Sequence, residues 1–146
     1  MSRILLLVPI VALALGCGGP VWMLPGGALS GDVRPAPEDW SAMDQEVVQL
    51  EVRPRDPYSV NVWGVGLGAS YYVAAGRGGE SAWATAIEED ADVRLRVGGG
   101  VYELRASRIE DEPERERFLA ALREKYDYEP DPEDRAQAWL FRLEPR

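Results

Sequence analysis

The sequence predicts a mainly β chain of the α+β class, with six antiparallel strands closing into a small barrel and two helices set against it. Three observations carry that expectation. Apolar and polar residues alternate at period two in residues 47–53 and again in 92–97, the pattern of half-buried strands. Glycines punctuate the strand runs, most clearly at Gly98-Gly99-Gly100, as hairpin turns require. Two stretches, 81–89 and 111–126, instead space their apolar residues at three and four, the stripe of a helix packed on one face.

In the first strand Val48, Leu50 and Val52 share one face, with Gln49, Glu51 and Arg53 on the other. Arg55-Asp56-Pro57 ends the run, because proline has no ladder donor. Residues 59–67 read as one second strand. Val60, Val62, Gly64 and Gly66 lie on one side of it, and Asn61, Trp63, Val65 and Leu67 on the other. The two glycines leave room for close packing, a bulge or a ligand. Gly68-Ala69 turns the chain into a third strand, 70–75, built around Tyr71-Tyr72-Val73.

Gly76-Arg77-Gly78-Gly79 leads to the first helix, 81–89, with Trp83, Ala86 and Ile87 inward. Strand 92–97 turns Arg94 and Arg96 outward, facing Glu103 on strand 101–109 as a surface pairing. Asp111-Glu112-Pro113-Glu114 starts the second helix with a cap, a first-turn proline and acids at the positive end. Phe118, Leu119, Leu122 and Tyr126 form its inner stripe. A loop holding Pro130 and Pro132 precedes a closing strand, 138–143, with Trp139, Phe141 and Leu143 on one face.

Composition removes much chemistry. The chain has no histidine and one cysteine, which takes away Ser-His-Asp and Cys-His catalysis and the commonest metal ligand. The alternating acids Asp127, Glu129, Asp131 and Glu133 lack the glycine and terminal glutamate of a calcium loop, so no metal site is assigned. A net charge of −9 repels phosphate backbones, and nucleic acid is not an expected partner.

Cys17 follows Met1-Ser2-Arg3 and the apolar run 4–16, too short for a comfortable membrane span and shaped as an export signal. Ala14-Leu15-Gly16-Cys17 resembles a bacterial lipobox, which implies lipidation at Cys17. The expected organisation is a signal peptide at 1–16, a lipidated tether and irregular lead-in at 17–43, and the barrel domain at 44–146. That would place the protein in the cell envelope, held to a bacterial membrane by its lipid. Trp22 or Trp40 of the lead-in is expected to pack onto the barrel.

Three stretches carry a wider resemblance. Asp56-Pro57-Tyr58-Ser59-Val60-Asn61-Val62-Trp63, then Tyr71-Tyr72-Val73-Ala74-Ala75-Gly76-Arg77-Gly78-Gly79 with Trp83, and Asp92-Val93-Arg94-Leu95-Arg96-Val97 follow one another. In that order they resemble the split β-barrel of pyridoxamine 5′-phosphate oxidase-like and deazaflavin-dependent nitroreductase-like proteins. The resemblance implies FMN or a deazaflavin at a homodimer interface. It places the phosphate near Arg77, Gly78 and Gly79, with Arg53 as a second contact, and Tyr58, Trp63 and Trp83 positioned to stack on the ring.

Each of these residues also has a plain structural reading, as turn, surface charge or core. Two functions stay open. The thin basic cluster favours a ligand-binding or interaction module without chemistry, whereas the resemblance itself favours a flavin-dependent oxidoreductase acting on a small substrate.

Overall fold

The run expected as a single second strand changes partner at Trp63. A computed structural model describes residues 19–146; the expected signal at 1–16 and the lipidation at Cys17 lie outside the described residues. Before Trp63, β2 (Tyr58–Val62) pairs antiparallel with β1 (Val48–Val52). After it, β3 (Gly64–Leu67) pairs with β4 (Ser70–Ala75). The other strands are β5 (Asp92–Val97), β6 (Gly100–Arg108) and β7 (Trp139–Pro145).

The sheet order is β2-β1-β5-β6-β7-β4-β3, so β2 and β3 sit at opposite ends of the order while only one residue separates them in the chain. Such a sheet has to curl until its two ends meet at Trp63. This is the split-barrel fold, with seven strands among the described residues where six were expected. The extra strand exists because one extended run serves both edges.

Alternation sorts the side chains into two apolar layers. Tyr71, Val73, Ala75, Phe141 and Leu143 point into the barrel with Leu50, Val52, Leu95 and Leu104. Tyr72 and Leu140, on the opposite face of the same strands, meet Phe118, Leu119 and Leu122 of α2 (Glu112–Tyr126). The stripe Trp83, Ala86 and Ile87 of α1 (Ala82–Glu89) joins the barrel layer.

The far end of the barrel, where the β3–β4 and β5–β6 turns lie, is closed by Trp40 of the lead-in. Its amide donates to the Gly68 carbonyl at 2.7 Å. Its ring, fully buried, meets Tyr71 and Tyr102 edge-on at centroid distances of 5.5 and 4.9 Å. Of the readings open for Gly66, close packing holds, since a Cβ there would stand 2.1 Å from the Trp40 carbonyl oxygen. Trp22, by contrast, stays exposed.

Two helix starts are capped by an aspartate side chain, whereas Ser81, before α1, makes no such bond. The Asp111 carboxylate accepts from the Glu114 amide at 2.9 Å, as the acids and proline of that stretch predict. The loop expected around Pro132 holds a third helix, α3 (Pro132–Gln137), so among the described residues there are three α-helices rather than two. The Asp131 carboxylate accepts from the Glu133 and Asp134 amides, and proline at a first turn starts a helix as readily as it breaks one.

Arg94 stands in register with both Glu103 and Glu51. Its guanidinium goes to the buried Glu51 at 3.2 Å rather than to Glu103, which instead pairs with Arg146. Leu29 of the lead-in covers Glu51 and donates its amide to the same carboxylate oxygen at 2.6 Å. Shielded from water, that carboxylate is the stronger partner. Arg96 bonds Gln49 and the Ser30 carbonyl, again toward β1 and the lead-in.

Candidate functional site: the cleft at the barrel seam

Where β2 hands over to β3, the two sheet ends are not laddered to each other, and α2 spans the gap. The Tyr126 hydroxyl accepts from the Gly64 amide at 3.1 Å and donates to the Glu46 carbonyl at 2.6 Å. The Lys125 ammonium donates to the Gln45 carbonyl at 2.6 Å and to the Gly64 carbonyl at 2.8 Å. Backbone groups from the β1 side and the β3 side are thus satisfied by one pair of side chains. Partial burial holds the Lys125 ammonium below its ordinary value and pushes the Tyr126 hydroxyl above its own.

Trp63 lies on this seam. Its ring is stacked on Tyr126 with centroids 4.6 Å apart and planes 9° from parallel, and Tyr128 meets it edge-on at 5.7 Å. The Trp63 side chain remains 46% exposed, because a residue at a partner change belongs to neither ladder. It forms the lip of a cleft of about 600 Å³ between the seam and α2. Apolar walls come from Trp83, Leu119, Leu122 and Leu140, and polar groups from Asn61, Arg77, Ser81 and Asp134. Trp63 also borders a groove of about 450 Å³, shared with residues 22–25 of the lead-in.

The structure brings three of the seven expected cofactor contacts together at this cleft: Trp63, Arg77 and Trp83. Arg77 is highly exposed and already paired with Glu80 at 2.9 Å. Gly78 and Gly79 follow it in the chain but lie against Trp139. A Cβ on Gly78 would come 2.3 Å from the Gln137 carbonyl oxygen, and one on Gly79 3.1 Å from the Trp139 ring. Gly78 also has a φ of 51°, where glycine is the natural residue. Arg53 and Tyr58 stand together at the β1–β2 turn, outside the cleft lining. The Arg53 guanidinium lies 5.1 Å from the Tyr58 ring centroid and 3.5 Å from the Asp56 carboxylate.

Sequence reasoning missed Tyr128, Leu119 and Leu122 as cleft walls and Lys125 as a bridge. The α2 residues carried a helical-stripe signal that core packing alone explained. Tyr128 sits just past the helix, after Asp127 turns left-handed at φ 50°, and no periodicity reaches it.

Among solved structures the same fold recurs. A FAD-binding protein from Mesorhizobium loti matches with a TM-score of 0.54 at 20% identity, over 73% of this chain and 85% of that one. A protein from Listeria innocua provisionally described as a pyridoxamine 5′-phosphate oxidase matches at 0.56 and 17%, over 70% and 85%. An F420 reductase matches at 0.54 and 18%, over 75% and 95%. No family model matches the sequence, and no curated protein does. The class defined by the fold is the split barrel, and its structural neighbours include a FAD-binding protein and an F420 reductase.

Proposed function

We propose that this chain binds a planar, flavin-type cofactor in the cleft at the barrel seam, with the ring against Trp63 and the anionic tail toward Arg77. The observation that carries the reading is the half-exposed Trp63 ring, held rigidly by Tyr126 at the mouth of a largely apolar cleft. A flat aromatic face presented to a cleft suits a tricyclic ring. The residues present fit the ring better than the phosphate, for Arg77 is shared with Glu80 and the cleft also holds Asp134. Binding without turnover therefore leads, as a ligand-binding module.

The test is titration with FMN, followed by quenching of flavin and tryptophan fluorescence. Saturable quenching that Trp63→Ala weakens is expected. Flavin that remains fully fluorescent at excess protein overturns the reading.

A second reading, a flavin- or deazaflavin-dependent oxidoreductase, is favoured by the neighbours named above. Such a cofactor would supply the hydride chemistry, leaving this chain to bind, orient and exclude water. Reoxidation of pre-reduced, protein-bound flavin by a small nitroaromatic acceptor, faster than that of free flavin, would favour it over simple binding.

The assembly belongs to the same proposal: a homodimer, checked by sedimentation with and without FMN. Export and lipid attachment at Cys17 rest on the sequence alone. Metabolic labelling with a radioactive fatty acid should mark the chain, and Cys17→Ala should abolish the mark.

A further inference from the structure

The largest run of exposed apolar side chains among the described residues is the turn at 21–24, Val21-Trp22-Met23-Leu24. Trp22 is 84% exposed and Met23 87%, and Val21 and Leu24 are exposed beside them. This is no loose tail. Val21 and Leu24 exchange backbone hydrogen bonds of 3.1 and 2.9 Å, closing a two-residue turn.

The turn is fastened to the barrel on both sides. Gly26 and Ser59 exchange two backbone bonds of 2.9 Å. Gln49 donates its side-chain amide to the Pro20 carbonyl at 3.1 Å, and Asn61 donates to the Trp22 carbonyl. Trp22 itself adopts φ 56°, a conformation that glycine or asparagine takes far more easily than a bulky residue. A strained tryptophan is thus held at the apex of a rigid turn, where a small polar residue would be the ordinary choice.

We propose that this turn docks into the interfacial layer of a lipid bilayer. No charged residue occurs between Arg3 and Asp32, although charged residues make up 28% of the chain. The apolar run 4–16 ends a few residues before the turn. Five extended residues reach at most about 18 Å, so a chain leaving the membrane at Cys17 presents the turn at its surface. Tryptophan beside methionine and leucine has the character of an interfacial anchor. The turn's closing backbone groups bond each other, so entering the headgroup layer leaves few polar groups unpaired. With a net charge of −9 the chain gains nothing from anionic lipid, and the docking is apolar and insensitive to salt. The inference rests on the membrane-directed reading of residues 4–17.

The test uses the full chain, expressed in a bacterium and reconstituted into phosphatidylcholine vesicles with brominated acyl chains. Flotation reports attachment, and tryptophan quenching reports the turn. The protein is expected to float. Its emission is expected to be quenched equally at low and high salt, and Trp22→Phe should remove at least half of that quenching. Floating protein whose Trp22 is still reached by aqueous acrylamide overturns the docking while leaving attachment intact. A Trp22 shielded from both acrylamide and brominated lipid is covered by protein, and that overturns it too. Protein that does not float overturns docking and attachment together.

Discussion

Trp40 and Trp63 make an instructive pair. Trp40 is fully buried, wedged between Tyr71 and Tyr102 with the Gly66 backbone against its own carbonyl. Trp63 lies at the seam, stacked on one side and open to a cleft on the other. The first ring supplies volume, and its indole nitrogen is buried with no hydrogen-bond partner among the described residues. The second supplies a surface, and the backbone beside it is held by the side chains of Lys125 and Tyr126. Where the barrel is finished by packing, nothing is left for a ligand. Where polar bridges finish it, space remains.

Removing the plug should do the greatest damage. Trp40→Ala is expected to cost about 4 kcal/mol, the usual toll of a large aromatic lost from a core, read as a lower midpoint in urea denaturation. At the seam, Tyr126→Phe takes away a hydroxyl that serves backbone groups on both sheet ends. Its expected cost is about 2 kcal/mol, and equal costs at the two sites would erase the contrast drawn between them. Trp63→Ala should act on the ligand more than on the fold. A roughly ten-fold weaker flavin titration, about 1.4 kcal/mol, matches the loss of one stacking face.

The smallest effect has the opposite sign. The Tyr71 hydroxyl is buried without a partner among the described residues, so Tyr71→Phe should stabilise by about 1 kcal/mol at neutral pH. It should also soften the alkaline limb. Burial, first among the causes in each case, raises the Tyr71, Tyr72 and Tyr126 hydroxyls above the ordinary value of 10.0.

A raised group lends its full stability below the unfolded value and loses it as pH climbs through the folded one. Stability should therefore hold to pH 10.0 and fall beyond it. Lys125, lowered from 10.5 by burial, works the other way as pH approaches 10.5, but three tyrosines outweigh it. Denaturation midpoints from neutral to strongly alkaline pH, for the parent and Tyr71→Phe, check both signs.

Most of the barrel was legible because alternation and glycine turns are local signals. Val48, Leu50 and Val52, and Val93, Leu95 and Val97, fall inside as the pattern requires. The partner change at Trp63 was not legible, since an extended chain looks the same whichever edge it joins. Nor was α3, where Pro130 and Pro132 were read as part of a loop although Asp131 caps a helix at the second. The cleft was half visible. The resemblance named Trp63, Arg77 and Trp83, which do line one cleft, but Gly78 and Gly79 carry a packing reason that only Trp139 reveals. Arg53 and Tyr58 share a strand end that only the register separates from the cleft.

The run from Tyr58 to Leu67 also bears on the order of events in folding. Its first half belongs to the β1–β2 hairpin and its second half to the β3–β4 hairpin, each closed across a short turn. Both can zip while little loop entropy is lost. The β1–β5, β4–β7 and β6–β7 ladders join residues much farther apart and set the slower step. A chain built this way meets the hardest part of closing a barrel, bringing first strand to last, with both already joined through one peptide segment.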